Sequence, residues 1–100
     1  MSTYKLRPRA AADLRSIRRW IAKDNPERAR TFIVELTQHF ERLAERHVRH
    51  RIVEELGSDI RIAVHGDYNI YYRFIGETAH DVLVIRVMHG ARDIGQEEMG

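Results

Sequence analysis

Asp24-Asn25-Pro26 constrains the fold of this 100-residue chain more than any other stretch. Asn25 is a strong helix N-cap, and Pro26 suits the first helical position, where its missing N–H loses nothing. Pro26 also disfavours helical geometry at Asn25, so a helix arriving from the N-terminal side has to stop before it. Both flanks carry a helical period. Ala10, Leu14, Ile17 and Ile21 are spaced 4, 3 and 4 and share one face, with Lys23 in the last turn. Beyond the proline, Ala29, Phe32, Ile33, Leu36, Phe40 and Leu43 form a longer stripe that runs to about Arg46. Two helices joined by about two residues must fold back on each other as an antiparallel hairpin.

The hairpin needs a surface on which to bury its stripe, and the rest of the chain supplies a sheet. Thr3 to Pro8 alternates polar and apolar side chains and reads as a short first strand closed by Pro8. His47 to Ser58 has no period and reads as a loop. From Asp59 the period becomes two: Ile60, Ile62 and Val64 alternate with Arg61, Ala63 and His65. His65-Gly66-Asp67 is a tight turn, after which Tyr68, Ile70, Tyr72 and Phe74 alternate with Asn69, Tyr71, Arg73 and Ile75. Gly76-Glu77-Thr78 turns the chain into a last strand, Val82 to Met88, which is apolar at nearly every position and therefore central or covered on both faces. The expected class is α+β: a strand, an antiparallel helical hairpin, then a three-stranded antiparallel meander, with the helices on one face of the sheet. Residues 1–100 are read as one domain, and the position of the first strand in the sheet is left open.

The chain has no cysteine, which excludes disulfides, thiolate metal sites and thiol nucleophiles and fits a reducing cytoplasm. No segment reaches the roughly 20 apolar residues of a membrane span, so no membrane partner is expected. The net charge of +2 conceals an asymmetry. Residues 1–53 carry 13 Lys or Arg against 6 Asp or Glu, whereas residues 54–100 carry 4 against 9. All but Lys5 and Lys23 of the 17 basic residues are arginine, which suits planar pairing with carboxylate or phosphate. His47-x-x-His50 lacks a third ligand at useful spacing, and no phosphate loop or serine nucleophile motif is present, so neither metal nor cofactor is expected.

Read together, the first strand leading into AAADLRSIRRWIAKDNPERA, the long second helix, IRIAVHGDYNIYYRF and VLVIRVMHGARDI resemble the RelE/ParE superfamily of toxins from type II toxin–antitoxin pairs. The likeness spans essentially the whole chain and leans to the ParE branch, with the closing His-Gly-x-Arg-Asp as its most specific piece. The resemblance implies a RelE/ParE-like fold and a ParD-like antitoxin as partner. ParE-type toxins are described as poisons of DNA gyrase, and RelE-type toxins as mRNA endoribonucleases.

The residues weigh these two activities. Metal-free RNA cleavage needs a base, a cation for the phosphate and an acid for the leaving oxygen. Arg61, Arg73, His89 and Arg92 are the candidates, with His65, Tyr71 and Tyr72 as further proton carriers. His89 is followed by Gly90 and no tyrosine follows Tyr72, so the terminal Tyr that the resemblance associates with RNase members is missing. The half that carries the site is also net negative, which opposes a phosphate backbone. A toxin that acts by binding is therefore expected, touching nucleic acid only through its antitoxin. Arg15, Arg18, Arg19 and Trp20 are expected to contact the antitoxin, since Trp and Arg are enriched at interface hot spots. Trp20 could alternatively pack at the helix–helix edge. His89, Arg92, Ile94, Gln96 and Met99 are expected to contact the target. Strand aromatics are read as core, and Asp93 as an ion-pair partner of Arg92 or Arg61 that shapes the end of the sheet. An inactive, partner-binding member is a further reading.

Overall fold

A computed structural model describes residues 3–45, 50–76 and 81–90. The element order is β1 (Thr3–Leu6), α1 (Pro8–Ala22), α2 (Pro26–Glu45), β2 (Arg61–His65), β3 (Tyr68–Ile75) and β4 (Asp81–His89). Strand order in the sheet is β1-β4-β3-β2. The meander is antiparallel as expected, and β1 adds to its far edge in parallel with β4.

The helical hairpin forms for the reasons the sequence gives. Asn25 Oδ1 accepts the N–H of Arg28 at 3.0 Å, a side-chain N-cap on α2. The carbonyl of Ile21 closes α1 by accepting from both Asp24 and Asn25, at 3.1 and 2.9 Å. One boundary differs from expectation. Pro8 opens α1 at its first helical position instead of closing the strand, because a proline there brings the right φ and loses no hydrogen bond. Arg7 immediately before it is extended and still donates its N–H to Val84 in the sheet, at 3.0 Å.

The main core lies between the hairpin and one sheet face. Ala10, Leu14 and Ile17 of α1 and Phe32, Leu36, Phe40, Leu43 and Ala44 of α2 meet Ala63, Ile70, Tyr72, Val82, Val84 and Val87. A second, smaller cluster on the opposite face joins Ile60, Tyr71, Ile85 and Met88 under Leu56 and Ile62. The double burial of β4 explains its unbroken apolar character. Tyr71 and Tyr72 are both buried, so these aromatics are core.

In β2 it is the less apolar alternate that meets the helices. Ala63 is buried in the main core, while Val64 is 65% exposed. The hairpin register pairs His65 with Tyr68, Ala63 with Ile70 and Arg61 with Tyr72. Paired residues share a face, and the larger apolar set of β3 takes the helix side. The β2 residues opposite that set have to follow. Gly66, at φ +59°, makes the connection. The loop before β2 is also more ordered than its composition suggests: Ile52 bridges Arg61, and Ile62 donates to Arg51 at 3.0 Å.

The register between β3 and β4 slips at Tyr71/Tyr72, where Tyr71 faces Arg86 and Tyr72 faces Val84. Ile85 is the extra residue of a β-bulge. There Asp13 of α1 accepts from Arg86 Nε at 2.8 Å, Arg86 Nη2 at 2.9 Å and the backbone N–H of Val87 at 2.9 Å. The Arg86 and Asp13 side chains are only 6% and 15% exposed. Removing one partner of such a pair strands a buried charge, so Asp13→Ala is expected to destabilise the fold by about 3–5 kcal/mol. Replacing both with apolar residues, Asp13→Leu with Arg86→Met, is expected to recover most of that loss. Urea unfolding midpoints of the three proteins check both expectations.

Candidate functional site

The exposed side of α1 presents Arg15, Arg18, Arg19 and Trp20. All four are exposed, Trp20 at 67%, which removes the alternative that its ring packs at the helix–helix edge. The spacing explains the arrangement: these residues fall off the Ala10–Leu14–Ile17 stripe that is turned to the core. Arg15, Arg18, Arg19 and Ala22 line a shallow depression, and Lys23 Nζ sits 5.1 Å from the Trp20 ring centroid.

A second depression, about 400 Å³, lies where the helical hairpin meets the turn between β2 and β3. Trp20, Arg28, Phe32, Tyr68 and His89 line it, with Gly66 and Asp67 at its rim. It brings Trp20 and His89, which the sequence reading assigned to different partners, to one surface. His89 stacks edge-on against Tyr68 at 5.5 Å, and Gly90 donates its N–H to the Asp67 carbonyl at 2.8 Å. Burial and the neighbouring Asp67 carboxylate push the Tyr68 phenol up, so it stays protonated at neutral pH. Arg92, Ile94, Gln96, Met99 and Asp93 fall within residues 91–100, outside the described residues.

Of the nuclease candidates, Arg61, Arg73 and His89 lie among the described residues and are not brought together. Arg61 lies opposite Tyr72, and His89 lies opposite Tyr68. Four residues along β3 separate these positions by roughly 13 Å. Arg73 alternates with Tyr72 and so projects to the other sheet face, where it pairs with Asp59 at 3.3 Å. Arg61 is occupied too: Nη1 donates to the His50 carbonyl at 2.7 Å, and its guanidinium lies 5.7 Å from the Phe74 ring centroid. Asp93, read as the carboxylate partner of Arg92 or Arg61, lies outside the described residues. His50 Nδ1 and the Tyr72 hydroxyl are hydrogen-bonded at 3.0 Å, but Tyr72 is fully buried and cannot touch a substrate.

The sequence reading missed a polar seam between α2 and β2. Nδ1 of His39 and Nδ1 of His65 lie 2.8 Å apart. One turn earlier on α2, Glu35 holds Arg28 through two hydrogen bonds of 2.8 and 3.1 Å. The spacing of Glu35 and His39 by four residues was the available signal; their meeting with His65 needs the sheet register, which the helix pattern does not contain. Among the described residues, no three His, Cys, Asp or Glu side chains are grouped to hold a metal, and no helix is long and apolar enough to cross a membrane. His47 of the His47-x-x-His50 pattern lies outside the described residues.

Comparison with known proteins gives this geometry its class. The model of the ParE toxin of type II toxin–antitoxin systems, parDE, matches residues 4–94. The chain therefore belongs to the ParE toxin family, within the RelE/ParE superfamily. A chain from the chromosomal ParDE toxin–antitoxin system of P. aeruginosa superposes with a TM-score of 0.65 at 21% identity, covering 89% of this chain and 95% of that one. A chain of the Mycobacterium tuberculosis toxin–antitoxin complex RelBE2 gives 0.55 at 25% identity, covering 88% and 96%. No curated protein matches.

The seam makes the fold acid-sensitive in a definite direction. Burial first, then the charges of His65, Arg42 and His50, push His39 down to about 4 from 6.5. Burial also lowers His65 and His50. In this range the unfolded chain binds protons that the folded chain refuses, so stability is complete above about pH 6.5 and is lost as pH falls towards 4. The Tm is expected to drop between pH 7 and pH 5, and the drop to shrink in His39→Gln. Thermal unfolding followed by circular dichroism at the two pH values measures it.

Proposed function

We propose that this toxin acts by binding, that a ParD-like antitoxin holds it inactive, and that the free toxin inhibits DNA gyrase. The observation that carries the reading is the dispersal of Arg61, Arg73 and His89. They lie at opposite ends and on opposite faces of the sheet, so they cannot surround one scissile phosphate. Proton transfer in a cleavage reaction requires groups within hydrogen-bond reach of the same atoms. Contact recognition has no such demand, and the exposed Arg15, Arg18, Arg19 and Trp20 suit it. They match an antitoxin segment that is acidic and partly apolar. The RelE-type nuclease is the competing reading, and it keeps only the candidate residues themselves.

Toxicity on this reading uses His89 with Arg92, Ile94, Gln96 and Met99 as target contacts. Purified toxin is expected to inhibit gyrase supercoiling and trap cleaved DNA while leaving message intact on translating ribosomes. Cleaved message with normal gyrase activity would reverse the assignment, and normal growth on expression without antitoxin would mark an inactive member. Two variants separate the surfaces. Trp20→Ala with Arg18→Ala is expected to weaken antitoxin binding by about 30-fold or more, the loss of roughly 2 kcal/mol at a hot spot. Deletion of residues 95–100 is expected to reduce growth inhibition and leave antitoxin affinity within about threefold, as measured by titration calorimetry.

A further inference from the structure

The exposed residues of α1 do not form one patch. A helix turns by about 100° per residue, so Arg18 and Arg15 lie about 160° and 140° around α1 from Trp20, and Arg19 about 100°. The depression lined by Arg15, Arg18, Arg19 and Ala22 therefore opens on one flank of the helix. Trp20 stands on the other, beside the groove at the β2–β3 turn. The two hollows ask for different chemistry. Among the described residues no carboxylate pairs with Arg15, Arg18 or Arg19, so their depression suits an anion. The groove is aromatic: the rings of Phe32, Tyr68 and His89 pack in sequence, with centroids 5.6 and 5.5 Å apart, and Trp20 forms a further wall. The guanidinium that lines it, Arg28, is already held by Glu35, and the Asp67 carboxylate at the rim repels a second acid. At about 400 Å³ the groove accepts a large apolar side chain.

We propose that the antitoxin crosses α1 as an extended segment and fills both hollows, with acidic side chains in the arginine depression and one large apolar side chain, about five residues away, in the Trp20–His89 groove. This arrangement rests on the reading that α1 receives the antitoxin, and it specifies the pattern that partner carries. An α-helix is about 10–12 Å across with its side chains, so about 150° of its surface measures about 14 Å. An extended chain rises about 3.3 Å per residue and spans that arc in about four to five residues. Arg19 and Lys23 lie along the crest between the two flanks, with Lys23 Nζ 5.1 Å from the Trp20 ring centroid. They keep the crossing favourable for an acidic chain.

Each hollow alone binds weakly, and the pair is selective. Exposed charge pairs are screened by salt and contribute little singly, whereas an apolar anchor seated among aromatic rings carries much of the affinity at an interface. The charges therefore set approach and register, and the anchor sets release. The fixed separation of the hollows tells this partner from an acidic chain without the anchor and from an apolar chain without the acids. Because His89 lines the same groove, the seated anchor also covers the side chain that the proposed function gives to the target.

Trp20 is the only tryptophan in the chain and is 67% exposed, so its fluorescence reports on the groove. The probe is a synthetic, tryptophan-free peptide carrying three consecutive glutamates and, about five residues away across a serine–alanine spacer, one leucine. It is made in both chain directions and titrated into the full-chain toxin at low salt. The better direction is expected to shift Trp20 emission to the blue and to move the ring proton resonances of Tyr68 and His89. Leucine to serine, glutamates to glutamines, and leucine placed next to the glutamates are each expected to weaken binding by about tenfold or more. Arg15→Ala with Arg18→Ala in the toxin is expected to do the same, its folding checked by circular dichroism. No shift with either peptide, or a shift indifferent to the spacing, would overturn the arrangement. In that case a loss of antitoxin affinity in Trp20→Ala with Arg18→Ala would leave α1 as the antitoxin surface. A spacing-dependent peptide response with unchanged antitoxin affinity in that variant would instead remove the antitoxin as the occupant.

Discussion

The fold turns on one carboxylate. Asp13 accepts three hydrogen bonds at the β4 bulge, two from the Arg86 guanidinium and one from the Val87 N–H. A bulge leaves a strand N–H without its ladder partner, and a buried N–H without a partner costs about 1–3 kcal/mol. A buried guanidinium costs more unless it is paired. Asp13 meets both demands with one side chain, and in doing so fixes α1 on the sheet.

The bulge also decides which side chains face the helices. Before it, Val82 and Val84 point into the main core; after it, Val87 does, while Ile85 and Met88 join the opposite cluster. Without the extra residue, strict alternation would carry Met88 to the helix side and send His89 to the other face. The position of His89 against Tyr68 in the groove is thus a consequence of a polar contact three residues upstream. The apparently uniform run Val82 to Met88 contains two phases of alternation joined at Arg86.

This is why the chain shows its architecture more readily than its site. The helices, the Asn25 cap and the meander are local patterns, each written in one continuous stretch of at most about thirty residues. Glu35 and His39, Asp13 and Arg86, and Arg61 and His50 are different. Their roles depend on strand register, and a bulge leaves no signature in an unbroken apolar run. The inverted faces of β2 follow the same logic. Ile62 and Val64 read as the inward set by composition, but the Gly66 turn ties β2 to β3, and the larger side chains of β3 decide the orientation. The arginines of the nuclease reading shared a plausible chemistry; only the register shows that Arg61 and Arg73 leave the sheet on opposite sides.

The inward use of Asp13 has an electrostatic consequence on the outside of α1. The helix carries Arg9, Asp13, Arg15, Arg18 and Arg19 as its only charged residues. Its single carboxylate is turned to the core and neutralised by Arg86, while the four arginines remain exposed. The solvent face of α1 is therefore uniformly basic, although the helix as a sequence is mixed. On α2, by contrast, Arg28 and Arg30 are paired with Glu35 and Glu27. Of the two helices, it is the one that also exposes Trp20 that carries a positive excess on its solvent face, four arginines against one inward carboxylate. On the proposed function, this surface suits an acidic, partly apolar segment, because charge attraction and burial of an aromatic ring at one place favour both fast encounter and slow release. The contact that secures the core and the basic face left outside it are two ends of one charge arrangement.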